Sequence, residues 1–339
     1  MLMDNIMKIM MYVNDLGLGG VQIIAIEKLI NFKKLGHEVS LITRENGLAS
    51  KFLDENSIPL TECKDKESVI NTIKEFGPDI LHGHSCGGGS EAISFGKELG
   101  IVCGETIHSM VPGNKVGNFE VVYNELNSSI RPDSTLIYWG FMTDRITPTM
   151  TRDEARDYWE IPKNVYVIGR NGRLDGSKAP KDFIETLKYL PDWVWGLVGG
   201  WGPEMDNLQR QASNLGIRER VIFTGARYDV GNVIAAMDCV VYPTLDESFC
   251  AGVVEPMYQR KPVVCYVRGG MIQHTIHEET ALVGNDPGEL AKYVAKLIKD
   301  TELAAKLGDN AYNKCNQLGY WDAMRDAKEH IELYERHLS

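Results

Sequence analysis

The stretch "IMKIMMYVNDLGLGGVQIIAIEKLINFKKLGHEVSLIT", residues 6–43, decides the fold. It opens with a short apolar run and turns through "DLGLGG". Apolar residues then recur at helical spacing up to Gly36, and a second short apolar run follows. Strand, glycine turn, amphipathic helix and strand make up a βαβ unit, whose crossover helix leaves the two strands parallel. The glycine after the last periodic residue is a helix stop.

The alternation continues outward from this stretch. "ESVINTIKEFG" reads as a helix, "PDILHGHS" as a strand with a polar tip, "CGGGSEAISFGKELG" as loop and helix, and "IVCGETIH" as a further strand. From about Asp144 to Pro162 the segment "DRITPTMTRDEARDYWEIP" is charged and holds a proline near each end, so the interdomain connection is expected there. The pattern then restarts. "NVYVIGR", "WVWGLVGG", "RVIFTG", "CVVYPT" and "PVVCYV" read as five strands separated by helical segments, and "YWDAMRDAKEHIELYERHL" reads as a terminal helix. The expected fold class is α/β, with two Rossmann-like doubly wound domains: residues 1–150, and residues 151–319 followed by a helix at about 320–338. Such sheets bind ligands outside the carboxyl ends of their strands, so the chemistry is expected in the strand-to-helix turns, in a cleft between the domains.

Composition sets the outer bounds. At 339 residues and 43% hydrophobic, the chain suits two cores better than one. A net charge of −11 supplies no broad positive field for nucleic acid or anionic lipid, and the first 145 residues alone carry more acids than bases. Seven cysteines without a CxxC pair suggest reduced, mostly buried thiols. The apolar start "MLMDNIMKIMMYVN" carries Asp4 and Lys8, and reads as a first core strand. No window reaches the roughly 18 apolar residues of a spanning helix. A cytoplasmic protein is expected, with a peripheral position at the inner membrane face left open.

Several turns carry candidate chemistry. "LGLGGVQ" places Gly19 and Gly20 before a helix, where backbone amides and the helix dipole suit a phosphate, although Gln22 interrupts the dinucleotide fingerprint. "GRNGRLDGSKAP" sets Arg173 and Lys178 five residues apart across a tight turn, able to converge on one diphosphate, with Arg170 beside them. "VGGWGPE" and "FTGARYD" put Gly200 and Gly225 straight after strands, where a main chain approaches a flat ring closely. His82 and His84 share a strand face and His274 and His277 have helical spacing, but neither pair has further ligands nearby, so no metal site is expected. His108 ends a strand. No acidic DxD motif exists in the chain. In "LDESFCAGVVEPMYQRKPVV", residues 245–264, Glu247 falls in a turn and Glu255 on the second turn of a helix starting near Phe249 or Cys250 and running to about Arg260.

In this order and spacing the motifs resemble the retaining glycosyltransferases of GT-B fold, the group 1, family 4-like enzymes with a Glu-x(seven)-Glu signature. The resemblance covers nearly the whole chain. It implies that Arg173 and Lys178 neutralise the diphosphate leaving group, helped by the amides of Cys250 and Ala251. Glu255 would hold the ribose hydroxyls. Glu247 would face the donor sugar, His108 would bond that sugar near the reacting centre, and Gly19 and Gly20 would close over the distal phosphate. The turns with Gly200, Gly225 and Arg227 would touch the nucleotide, and His84 and Ser85 would lie on the acceptor side. No metal or other cofactor is implied. The reaction would move a sugar from a nucleotide diphosphate sugar, UDP-sugar first and GDP-sugar second, to an acceptor hydroxyl from the same face, without a protein nucleophile. Departures from the family pattern are Cys250 at a common glycine, Pro256 after the second acid, and "YWGFMTD" in place of an Asn-Gly-Val-Asp turn. The acceptor is a carbohydrate, a lipid-linked sugar or a small molecule, with modified bases in DNA also open. A UDP-sugar epimerase of the same architecture and a catalytically silent nucleotide-sugar-binding protein are the alternatives; an epimerase would convert donor without acceptor, and a silent protein would turn over nothing.

Overall fold

The computed structural model describes residues 6–85, 90–113 and 115–339. Met1–Asn5 of the expected first strand, and Cys86 with the glycines of the loop at 86–89, lie outside the described residues.

The chain divides into two compact units, residues 1–141 with 322–339, and residues 142–321. In unit 1, strands β1 (Lys8–Asp15), β2 (Glu38–Glu45), β3 (Leu60–Glu62), β4 (Ile80–Ser85), β5 (Val102–Ile107), β6 (Phe119–Val122) and β7 (Thr135–Leu136) form one sheet in the order β3-β2-β1-β4-β5-β6-β7. Every pairing is parallel. Parallel sheets are covered on both faces, and Ile9 to Val13 of β1 are accordingly buried without alternation.

The first helix, Gly20–Lys34, is buried from Ile23 to Phe32, including Glu27, Lys28 and Asn31. The C-terminal helix Ala323–Leu338 packs on it. Buried polar groups need partners, and Lys28 finds one there: its Nζ lies 2.5 and 2.7 Å from the two carboxylate oxygens of Asp326.

Unit 2 holds β8 (Tyr166–Asn171), β9 (Val194–Gly199), β10 (Val221–Gly225), β11 (Cys239–Tyr242), β12 (Val263–Cys265) and β13 (Leu282–Val283), again all parallel, in the order β10-β9-β8-β11-β12-β13. In both units the strand order reverses beside the first strand, so the turns after β1 and β4, and after β8 and β11, flank a switch point where such sheets take ligands.

The division of the chain falls at 141/142 and 321/322, against an expected 150/151 and 319/320. The segment 142–150 belongs to unit 2 because its backbone is bonded there. Gln259 Nε2 donates to Ile146 O at 2.9 Å, and Asn232 Oδ1 accepts from the amides of Thr149 and Met150 at 2.8 and 3.0 Å. The six described cysteines are free and buried. Among the described residues no helix is long and apolar enough to cross a membrane.

Candidate active site

Three glycine turns at the carboxyl ends of β8, β9 and β10 lock together by main chain alone. Gly172 N donates to Gly199 O at 3.2 Å, and Gly200 N donates to Gly225 O at 2.9 Å. Gly200 has φ 109°, and a Cβ there would stand 1.9 Å from Gly172 O, so only glycine fits. Leu174 N continues the ladder to Trp201 O.

That ladder positions the Arg173–Lys178 turn. Asp175 caps it by accepting from Ser177 N at 2.9 Å and pairs with Arg173 Nε at 2.6 Å. The Arg173 side chain is 66% exposed, whereas that of Lys178 is 19% exposed and reaches Glu247 Oε1 at 3.0 Å and Asp246 O at 2.8 Å. An ammonium has three donors, so one remains for an incoming anion. Leu245 N donates to Ser177 O, tying the β11 turn to the same loop. Lys178 and Glu247, assigned from sequence to the diphosphate and to the sugar, are in contact with one another.

Beneath them lies Arg170, fully buried, with Nη1 donating to Lys178 O at 3.0 Å and the guanidinium 4.9 Å from the Tyr242 ring centre. Burial lowers its pKa from the ordinary value, the tendency of a cation without bulk water. Its place supporting the Lys178 turn was only hinted at by adjacency in sequence.

The helix Ala251–Tyr258 starts beside this group, one residue later than the window near Phe249 or Cys250. Cys250 is its N-cap with φ 72°, a left-handed conformation that glycine adopts without penalty and cysteine does not. Glu255 is buried on this helix, and its Oε1 accepts from Arg145 Nη2 at 2.5 Å. Arg145 was not among the expected site residues; its partner is 110 positions away, and no local pattern signals the pairing. Arg227 stands on the turn after β10. Its Nε and Nη2 grip Asp229 at 2.8 and 2.9 Å, and its guanidinium lies over the rings of Tyr158 and Trp159.

Unit 1 presents its own strand-end group. His108 follows β5, its amide donates to Ser85 O, and its Nε2 is 2.9 Å from His84 Nδ1. Burial pushes the His108 imidazole down to about 3, with the Lys28 charge adding to the effect, so it is neutral at physiological pH. His84, expected on the acceptor side, is buried behind His108 and stacked on His82, which bonds Tyr334 and Thr106. This accounts for the His82/His84 pair as a hydrogen-bonded core row. Ser85 is partly exposed, with Oγ donating to the buried Glu105 at 3.4 Å. In the first glycine turn Gly19 is the N-cap of the first helix, Gly20 opens it, and Asp15 Oδ1 already accepts from Gly17 N and Gln22 Nε2.

Two parallel, doubly wound units with their functional turns at strand carboxyl ends define a GT-B fold. Residues 151–314 match the family model for glycosyl transferases group 1. It is 30% identical over 212 residues to the D-inositol 3-phosphate glycosyltransferase of Corynebacterium jeikeium, covering 58% of this chain but only 50% of the relative, so the chain spans half the length of that protein. It is 25% identical to the enzyme of the same name from Mycolicibacterium smegmatis, with 85% of this chain and 80% of the relative covered. The crystal structure of Anabaena HepE in complex with UDP-glucose superposes with a TM-score of 0.86 at 20% identity, covering 97% of this chain and 100% of that one.

Proposed function

We propose that the protein is a retaining glycosyltransferase that moves a sugar from a nucleotide diphosphate sugar, with uridine as the base, to an acceptor hydroxyl. The observation that carries this is the convergence in unit 2 of Lys178, Glu247 and the start of the helix bearing Glu255. That group offers a cation with a donor to spare, an acid beside it, and the positive end of a helix dipole. The UDP-glucose held by HepE, a protein of the same fold, favours uridine and a hexose.

In this reading Arg173 and Lys178, with the amides of Cys250 and Ala251, stabilise the charge that grows on the departing diphosphate. Preorganised donors of this kind cost no reorganisation during the reaction. No divalent ion is called for. Glu247, already tied to Lys178, faces the sugar hydroxyls, and Glu255 receives the ribose. His108, neutral and backed by His84, is suited to hydrogen-bond a sugar hydroxyl without competing for a proton. Gly200 and Gly225 keep the main chain low under the base, and Gly19 and Gly20 approach the distal phosphate. The acceptor class is a sugar, lipid-linked sugar or small molecule.

The test is donor hydrolysis and transfer, measured with a panel of nucleotide sugars for the native protein, Arg173→Ala and Glu255→Ala. Turnover of a UDP-sugar that both substitutions weaken at least tenfold supports the assignment. Equal donor affinity in all three proteins sinks it.

A further inference from the structure

The ion pair between Arg145 and Glu255 is short and shielded, 2.5 Å long with the two side chains 12% and 6% exposed. Both partners lie in unit 2, on the turn Thr143–Arg145 and on the helix Ala251–Tyr258. Glu255 engages it through Oε1, and that is its one hydrogen bond among the described residues.

A nearly buried carboxylate has two needs if it is to hold a nucleotide. Its charge must be offset, because the same ligand brings a diphosphate of like sign, and one oxygen must be fixed so that the other points at the hydroxyls. A guanidinium meets both, since it stays charged and its planar fork sets the carboxylate's rotation. Lys178 answers a different acid, with its contacts going to Glu247 and Asp246 O and its remaining donor left for the diphosphate.

We infer that Arg145 is the positioning residue for Glu255. It cancels the acid's charge, fixes Oε1, and leaves Oε2 to accept from the ribose 2′- and 3′-hydroxyls. The consequence is a donor preference not otherwise assigned: unit 2 selects ribonucleotides over deoxyribonucleotides, and Arg145 sets the margin. This rests on the reading that Glu255 binds ribose.

The experiment is calorimetric titration of the full chain with UDP, 2′-deoxy-UDP and 3′-deoxy-UDP. The native protein should prefer UDP over at least one deoxy form by about ten- to hundredfold, the worth of a hydrogen bond to a charged group. Arg145→Met should weaken UDP by a similar factor while leaving that deoxy form within about threefold of its native affinity, so the preference collapses. Arg145→Lys, which keeps the charge without the fork and guards against misfolding, should recover part of it. A purely structural role would weaken all three ligands alike, and that result, or no effect on UDP, overturns the inference. Glu255→Ala separates the two levels: if it leaves UDP binding intact, the ribose assignment itself fails, whereas a loss there with none in Arg145→Met removes the inference alone.

Discussion

Replacing Asp326 by alanine removes the counterion of a lysine sealed inside unit 1. Lys28 and Asp326 are 3% and 2% exposed. The same carboxylate also accepts from Gly140 N at 2.9 Å and contacts His330 Nδ1 at 2.9 Å. Breaking a buried pair by deleting one partner costs about 3–5 kcal/mol, and the orphaned Gly140 amide adds about 1 kcal/mol or more. A total near 5 kcal/mol is comparable with the whole stability of a marginal domain, about 5–15 kcal/mol. Burial already pushes the Lys28 pKa down, so the stranded amine escapes part of the penalty by releasing its proton, and the loss should shrink as pH rises. The assay is urea denaturation followed by circular dichroism and by fluorescence of Trp139, the one tryptophan in unit 1 and stacked on Phe141 at 3.7 Å. Lys28→Met with Asp326→Leu should recover most of the loss, since apolar replacement of a buried pair is often neutral. An unshifted midpoint in Asp326→Ala, or a double variant as unstable as the single, refutes the reasoning.

Other consequences follow from the same geometry. Burial holds the imidazoles of His82, His84, His108 and His330 below their ordinary value. Below about pH 6.5 the unfolded chain therefore takes up protons that the folded unit refuses, and stability falls as pH drops below that value, by up to about 1.4 kcal/mol per histidine and pH unit. Melting curves between pH 7.5 and pH 5, conditions chosen about the ordinary imidazole value, check this, and a flat profile contradicts it. Gly200→Ala drives a Cβ into Gly172 O and should cost unit 2 at least about 2 kcal/mol together with nucleotide binding; thermal melting with and without UDP reads both. Lys178→Met should weaken UDP about tenfold or more while changing uridine little, because its ammonium answers only the phosphates; equal losses for both ligands would count against the clamp.

What could be read from the chain depended on the range of the interaction. Several helices were legible because they carry their own period and stop, such as Gly36 after the first helix, with φ 95°, whereas Pro287–Lys299 and Thr301–Gln317 were not named. The strands β3, β6, β7 and β13 were not legible, because they lack the longer apolar runs that marked the equally short β11 ("CVVYPT") and β12 ("PVVCYV"). In the site, the Arg173–Lys178 turn and the Glu247–Glu255 segment were visible because each lies in one continuous stretch, and the fold joins them through Leu245 and Ser177. Arg145 could not be seen, since its role exists only once a residue 110 positions away is folded beside it. His84 was assigned to the acceptor side through the resemblance of "GPDILHGHS"; its burial, its bond to His108 and its stacking on His82 arise only once β4 and β5 are paired. The pairing of Arg227 with Asp229 was local enough to have been read, two residues apart on one turn.

The central claim is that unit 2 holds a nucleotide diphosphate between Lys178, Arg173 and Glu255. Isothermal titration of the native protein with UDP, repeated with Arg173→Ala and Glu255→Ala, tests it most directly. The account predicts saturable one-to-one binding that each substitution weakens about tenfold or more, the scale of a charge-assisted contact. Absence of UDP binding to the folded native protein, or affinity untouched by either substitution, would contradict it.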